Sequence, residues 1–377
     1  MLRIIHIVEN LDKGAVENWL VNVFLESRKS RPEWDWTFYC ILGKKGRLDE
    51  KVLASGGNII YSPYWLSDKV KFIKYLRRTL RSKRYDIIHS HHDYLSGFYL
   101  LATFGISFKK RILHIHNTDK MLPVGNAFLQ KMLLPIFRRL ALFFSDTIVG
   151  ISNNSLAEFV GSAKLKNKEA RVLYYGIDLL PFGRPIDKEW LGKELSIPKQ
   201  SKILLYIGRL TKLKNPEFVI DILYQLLKKR QDVYAVIVGK GELEEAVVRK
   251  AMAYGIIDNV KMLGWRDDGA ALMQASDVFV FPRIEFPKEG LGLVVVEAQA
   301  AGLPMVVSRG IVEDAIEIRE LAHILPLENN AADWASSIDE ILNGGRAIND
   351  RNAYQFMQQS KFSLANCALN LINLYTK

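Results

Sequence analysis

At 377 residues, 49% hydrophobic and 25% charged, the chain has ordinary globular composition with room for two α/β cores, which excludes a disordered or low-complexity protein. The net charge of +11 sits in the first half: residues 1–178 hold 28 Lys and Arg against 16 Asp and Glu, while 179–377 hold 24 against 25, so an anionic partner is expected there, whether nucleic acid, an anionic membrane or a phosphorylated acceptor. Two distant cysteines, Cys40 and Cys367, exclude a disulfide framework or cysteine metal cluster, and with no leader-like start and no apolar window of about 18 residues the expectation is a cytoplasmic protein that does not span a membrane.

From Ile4 onward, short aliphatic runs alternate with longer amphipathic stretches, the pattern of βα units on a parallel sheet. Strands are predicted over 3–8, 36–40, 87–89, 111–116, 147–150 and 171–174, with helices between them at about 16–30, 69–81, 94–104, 127–143 and 152–160. The pattern loosens over 176–200, where Pro181, Pro185 and Pro198 break it, and the domain junction is placed there. It restarts with the strand KILLYIGR. Further strands follow at 234–238, 278–281 and 305–307, with helices at 218–230, 242–254, 291–301 and 334–342, and a final helical stretch over 350–375. These elements describe two doubly wound domains in tandem. In such sheets ligands sit beyond the carboxyl ends of the strands, and the cleft between two of them is the expected site.

Two constellations in the second half carry chemistry. Gly208-Arg209-Leu210 ends the first strand there and Lys214 follows; Gly239-Lys240-Gly241 ends the next. Fixed positive charge at a strand's carboxyl end suits a diphosphate leaving group, on which negative charge grows as its partner departs. Taken alone, an Arg and a Lys in loops read as a solvated turn. Their neighbour is PRIEFPKEGLGLVVVEAQAAGLP, where Glu289 precedes two glycines and Glu297 follows on the helix. With a helix beginning near Leu291, the amides of Gly290, Leu291, Gly292 and Leu293 are N-terminal donors for an anionic group. A carboxylate at Glu297 is placed to accept from two vicinal ribose hydroxyls, and one at Glu289 from a sugar's hydroxyls. An acidic helix start favoured by the dipole accounts for Glu289 but not for Glu297 amid VVVEAQAA.

On these motifs the sequence resembles glycosyltransferase family 4, of the GT-B fold, especially bacterial enzymes of capsule, exopolysaccharide and O-antigen assembly. The resemblance runs through GRLTKLKN, VGKGELEE, SDVFVFP, the two glutamates and AAGLPMVVS, and more loosely through KGAVENWLVNVF, YDIIHSHHDYLSGF and RILHIHNTD. It implies two Rossmann-like domains facing across a cleft, 1–180 on the acceptor side and 181–355 on the donor side, with a C-terminal helix at about 356–377 returning to the first. It also implies that Arg209 and Lys214 bind the donor diphosphate, with Gly208 and Gly239 shaping the loops, that Glu289 meets the transferred sugar, and that Glu297 meets the ribose. His116 matches an imidazole near the reacting centre, and Gly14 a glycine turn that lets backbone approach the donor. Lys13 stands where the family's first glycine would be and Lys240 where an acidic residue is common.

The family transfers with retention, and no Asp-x-Asp metal motif occurs here, so neither a metal nor another cofactor is expected. The partners implied are a nucleotide-sugar, a UDP-sugar favoured, and a lipid-linked or oligosaccharide acceptor. His89-Ser90-His91-His92-Asp93 also reads as part of a metallo-hydrolase site, but Tyr94 follows where a further His is wanted, and a loop lining the acceptor side is favoured. Basic and apolar residues interleave over 69–84 and 127–144, as in helices lying on an anionic membrane or as in core helices with a basic edge. No nucleic-acid module accompanies the charge. The expected protein is therefore peripheral on the inner face of the cell membrane. A same-fold nucleotide-sugar epimerase and a non-catalytic glycan-binding scaffold are the alternatives.

Overall fold

The structure, a computed structural model, describes residues 1–12, 14–118, 127–161 and 168–377, so Lys13 lies outside the described residues. It divides into two compact units, Met1–Gly176 with Leu364–Lys377, and Ile177–Ser363.

The first unit is built on a seven-stranded sheet of β1 (Arg3–Val8), β2 (Asp35–Cys40), β3 (Asn58–Tyr61), β4 (Ile87–Ser90), β5 (Lys110–Ile115), β6 (Thr147–Gly150) and β7 (Glu169–Val172). Its order is β3-β2-β1-β4-β5-β6-β7 and its ladders are parallel. The central strands bury both faces, which is why β1 reads as a continuous aliphatic run with Ile4, Ile5 and Ile7 at 0% exposure. Helices α1 (Ala15–Arg28), α2 (Asp49–Ala54), α3 (Lys69–Ser82), α4 (Ser96–Leu101), α5 (Ala127–Phe144) and α6 (Asn153–Val160) make the crossovers.

The second unit repeats the plan. Strands β8 (Lys202–Ile207), β9 (Val233–Val238), β10 (Val260–Gly264), β11 (Val278–Phe281), β12 (Met305–Ser308) and β13 (Ala322–Leu325) form a parallel sheet of order β10-β9-β8-β11-β12-β13. Helices α7 (Trp190–Glu194), α8 (Pro216–Leu227), α9 (Glu244–Ala253), α10 (Gly269–Ala275), α11 (Leu293–Ala300), α12 (Ala331–Gly344) and α13 (Asp350–Gln359) cover it. In both sheets the strand order reverses next to the first strand, between β1 and β4 and between β8 and β11, and at such a reversal the loops leave in opposite directions and open a crevice.

The single helix predicted over 350–375 is two. The first, α13, stays with the second unit, and only α14 (Leu364–Thr376) belongs to the first. The return therefore begins at Leu364 rather than near 356, and the first unit ends at Gly176 rather than 180. Helix α14 packs on α1, burying Cys367, Leu371, Leu374 and Tyr375. The helix predicted over 94–104 is a 3-10 turn at Asp93–Leu95 followed by the shorter α4.

Candidate functional site

The carboxyl ends of β8 and β9 are laced together by backbone. Gly208 N donates to Val238 O at 3.0 Å, Leu210 N to Lys240 O at 3.0 Å and Leu243 N to Leu210 O at 3.0 Å. Gly239 has φ +132°, and a Cβ there would stand 1.9 Å from Gly208 O; one at Gly241 would stand 2.3 Å from Leu210 O. Only glycine allows this approach. Arg209 leaves the laced turn exposed, and its guanidinium has no hydrogen-bond or ion-pair partner among the described residues.

Lys214 lies on the loop from β8 to α8 and is not exposed like Arg209. Its ammonium bonds to Glu289 Oε2 and sits 5.3 Å from the Phe281 ring centroid. The same Glu289 oxygen accepts from Arg283 Nε at 2.6 Å. Arg283 is buried, at 3% exposure, and its Nη1 donates to Ile284 O at 2.6 Å and to Pro287 O. With both cations on Oε2, Glu289 Oε1 has no partner among the described residues.

Burial raises the Glu289 carboxyl, but Lys214 and Arg283 outweigh it and hold the group below its ordinary value. Burial lowers the Lys214 ammonium; Glu289 works against that, while Arg283 and Arg209 add to it. Two cations on one carboxylate, with Arg209 close enough to act on Lys214, leave this cluster net positive, as a diphosphate site requires.

Helix α11 begins at Leu293, with Gly292 as a left-handed N-cap at φ 84°, rather than at Leu291. Val295 N and Val296 N turn back to Gly292 O at 2.9 and 3.4 Å. The amides left for an anion are therefore those of Leu291 and Gly292 in the loop and of Leu293 and Val294 in the first turn, while Gly290 is engaged elsewhere. Glu297, one turn further along, is partly buried, and its carboxylate takes no hydrogen bond or ion pair from any described residue. Burial pushes it up to about 7.

The structure thus brings Gly208, Arg209, Lys214, Gly239, Glu289, Leu291, Gly292, Leu293 and Glu297 to the loops and helix start that follow β8, β9 and β11 in one unit. Arg283, which the sequence reading passed over, joins them. Its signal was present: an Arg directly after the buried strand VFVF and a proline.

Gly14 and His116 belong to the first unit. Gly14 is the N-cap of α1, with the Glu17 carboxylate folded over it, so that a Cβ there would meet Glu17 Oε2 at 1.9 Å. His116 is buried, and both ring nitrogens are engaged, Nε2 with His91 Nδ1 at 3.0 Å and Nδ1 with the Tyr175 hydroxyl. Its backbone N–H donates to Asp93 Oδ1 at 2.6 Å, and Asn117 Nδ2 donates to Asp93 Oδ2 at 2.8 Å. The imidazole can meet a sugar only if one of its ring bonds gives way. Asp93, read as a possible metal ligand, is instead a backbone clamp on the end of β5.

Comparison with known proteins gives these elements a context. Residues 187–356 match the model of the glycosyl transferases group 1 and residues 35–179 that of Glycosyltransferase Family 4. The chain is 26% identical to the putative glycosyltransferase EpsF of Bacillus subtilis, over 91% of this chain and 88% of that one. It is 24% identical to the capsular polysaccharide biosynthesis glycosyltransferase CapH of Staphylococcus aureus, over 94% and 95%. It is also 26% identical, over 69% and 67%, to the Escherichia coli UDP-Gal:alpha-D-GlcNAc-diphosphoundecaprenol alpha-1,3-galactosyltransferase. Among solved structures, Anabaena Alr3699/HepE in complex with UDP-glucose shares the fold with a TM-score of 0.78, at 19% identity and 99% coverage of both chains.

Proposed function

The chain belongs to glycosyltransferase family 4, and from that membership we propose that it moves a sugar, with retention at the anomeric carbon, from a nucleoside-diphosphate sugar to a lipid-linked glycan in polysaccharide assembly. The observation that carries the donor is Glu297: a carboxylate without a partner among the described residues, pushed up to about 7, close behind the amides that open α11. A half-buried carboxylate left without a protein donor costs stability unless a ligand or water uses it. Two vicinal ribose hydroxyls are suited to do so.

The diphosphate then meets Arg209, Lys214 and the amides of Leu293 and Val294, and a sugar hydroxyl meets Glu289 Oε1. In the transfer the bond from the anomeric carbon to the β-phosphate oxygen breaks while the acceptor oxygen bonds the same face. The acceptor proton passes to the departing phosphate oxygen. Arg209 and Lys214 stabilise the charge growing on that diphosphate, so the positive field is strongest where the transition state is most negative. No metal and no protein general base is assigned to this step. His116, engaged on both nitrogens, is likewise assigned none.

A UDP-sugar is favoured as donor because the galactosyltransferase relative is named for UDP-Gal and the HepE structure holds UDP-glucose. A lipid-linked acceptor is supported by the diphosphoundecaprenol in that relative's name and by the first unit's surface. On α3, Phe72, Leu76 and Leu80 face inward, while Lys74, Arg78 and Arg81 are exposed. On α5, Met132, Ile136 and Phe143 stand 53%, 48% and 74% exposed, although Ala141 and Phe137 pack into the core. A helix with both a core side and an apolar exposed stripe beside basic residues suits an anionic membrane surface. Among the described residues no helix is long and apolar enough to cross a membrane.

A calorimetric screen of uridine-, guanosine- and adenosine-diphosphate sugars tests the reading. One class should bind the wild-type chain and bind Glu297→Ala at least tenfold more weakly. If no nucleotide-sugar binds the wild-type chain, the reading is wrong.

A further inference from the structure

Period-two alternation along β4 and β5 puts His89 and His91 on one face of the sheet and His114 and His116 on the same face of the next strand. His6 on β1 lies in register with His89. Five histidines therefore pack together beneath α1 and α14, with Trp19 edge-on to His114 at 5.2 Å and Tyr375 edge-on to His89 at 5.8 Å between centroids. The sequence offered only the His89 to Asp93 loop as a metal reading. The parallel topology supplies the histidines that the loop lacked.

The rings are joined in one chain of hydrogen bonds. Tyr175 Oη meets His116 Nδ1, His116 Nε2 meets His91 Nδ1 at 3.0 Å, and His91 Nε2 meets His6 Nδ1 at 2.9 Å. His6 Nε2 meets Tyr375 Oη at 3.4 Å, Tyr375 Oη meets His89 Nδ1 at 2.7 Å, and His89 Nε2 meets His114 Nδ1 at 3.2 Å. Nine of the ten ring nitrogens are thus partnered. The tenth, His114 Nε2, is sealed from solvent and has no partner. Whichever way the protons are ordered along the chain, it ends as a buried N–H or a buried lone pair.

We propose that His91, His114 and His116 form a site for a zinc-class divalent metal, ligated by Nδ1 of His91 and Nε2 of His114 and His116. One ligand nitrogen from each of these residues lies within 4.8 Å of the other two. The remaining nitrogens are already the outer partners that metal-bound imidazoles use: His91 Nε2–H donates to His6, His114 Nδ1–H to His89, and His116 Nδ1–H to the Tyr175 oxygen.

The rings of His114 and His116 lie with centroids 4.1 Å apart and planes tilted by 32°. Exposures of 0–5% put the three imidazoles away from bulk solvent at the ends of β4 and β5, and three protein nitrogens leave the fourth position of a tetrahedral ion to a water. It lies in the first unit, whereas the residues assigned to the donor lie in the second. Imidazole nitrogen suits zinc, copper or nickel over magnesium or calcium.

The experiment uses the full chain, without a polyhistidine tag, titrated with Zn²⁺ and separately with Co²⁺, dialysed, and assayed for bound metal by mass spectrometry. About one metal per chain should be retained. The Co²⁺ form should show visible d–d absorption, and melting of the chain should shift upward with Zn²⁺. His114→Phe, which keeps a ring but removes both nitrogens, should lower retention to background. A folded wild-type chain that retains no metal and shows no Co²⁺ absorption overturns the site, and so does full retention by His114→Phe. Should that variant fail to fold, the wild-type titration decides alone.

Discussion

Lys214 and Glu289, 75 positions apart in sequence, are bonded to each other through Glu289 Oε2, which also holds Arg283. The loop after β8 and the loop after β11 are therefore one electrostatic unit before any donor arrives. A cation assigned to a diphosphate and an anion assigned to a sugar are held in place by the same bond. Donor binding has to share Lys214 rather than recruit it from solvent, which lowers the ordering entropy paid on binding.

Replacement of either diphosphate cation should therefore have different side effects. Arg209→Ala removes an exposed, unpaired guanidinium and should lower kcat/KM at least tenfold with melting unchanged. Lys214→Ala should lower it at least as much and also reduce melting, because Glu289 loses one of its two partners. Steady-state kinetics with thermal melts on both variants check this, and near-normal rates would sink the clamp.

Glu297 gives the enzyme a pH signature. Its folded value, about 7, lies above the ordinary 4.5, so the protonated form favours the empty fold, and that contribution is complete below about 4.5 and lost as pH rises through 7. Glu297→Gln should therefore gain about 1–3 kcal/mol over wild type at pH 8 and little at pH 4.5. Donor affinity should run the other way in wild type, weakening as pH falls below 7, because the carboxylate is the form that accepts both hydroxyls. In Glu297→Gln it should be weak and flat with pH. Calorimetry at pH 5.5, 7 and 8.5 separates the two trends.

The laced turns should not tolerate a methyl group. Gly239→Ala places a Cβ 1.9 Å from Gly208 O at a φ of +132°, so a loss of about 2 kcal/mol or more is expected in denaturant unfolding. Gly269→Ala, where a Cβ meets nothing within 4 Å, is the matched control and should change stability little.

For the first unit, Lys74, Arg78 and Arg81 changed together to Ala should reduce flotation with phosphatidylglycerol vesicles and flatten its salt dependence. Arg77 is left in place because it donates to Ala102 O and Phe104 O, both at 2.8 Å, and its loss would loosen the turn after α4. Transfer to a soluble acceptor analogue should persist. Equal flotation of variant and wild type would remove the membrane assignment.

The central strands were legible because a strand buried on both faces must be a continuous apolar run, as in β1, β8 and β11. Three strands escaped, β3, β10 and β13, and each is a sheet edge. An edge strand faces water on one side, so sequences such as NIIY and AHIL are short and carry polar residues that blur the period. At the site, residues whose role follows from local chain geometry were readable: the glycines of the laced turns, and Glu297 inside an apolar helix. Arg283 was marked only by its position after the buried strand VFVF and a proline, and its role emerges through Glu289 on the far side of a turn. The histidine cluster was invisible for the same reason. His6 and His114 are single polar residues inside strand runs, and only strand order makes them neighbours.

Helix α14 has a consequence for how the protein is made. Trp19 Nε1 donates to Cys367 Sγ at 3.1 Å, and Tyr375 closes the histidine chain at His89. The first unit, translated ahead of the second, thus lacks its lid until the thirteen-residue α14 has been synthesised. The second domain meets no such delay, because its residues run without interruption. Translation order and completion order are reversed: the half made first is sealed last, and a nascent chain stopped anywhere before Leu364 carries an open, histidine-lined face for a chaperone to guard.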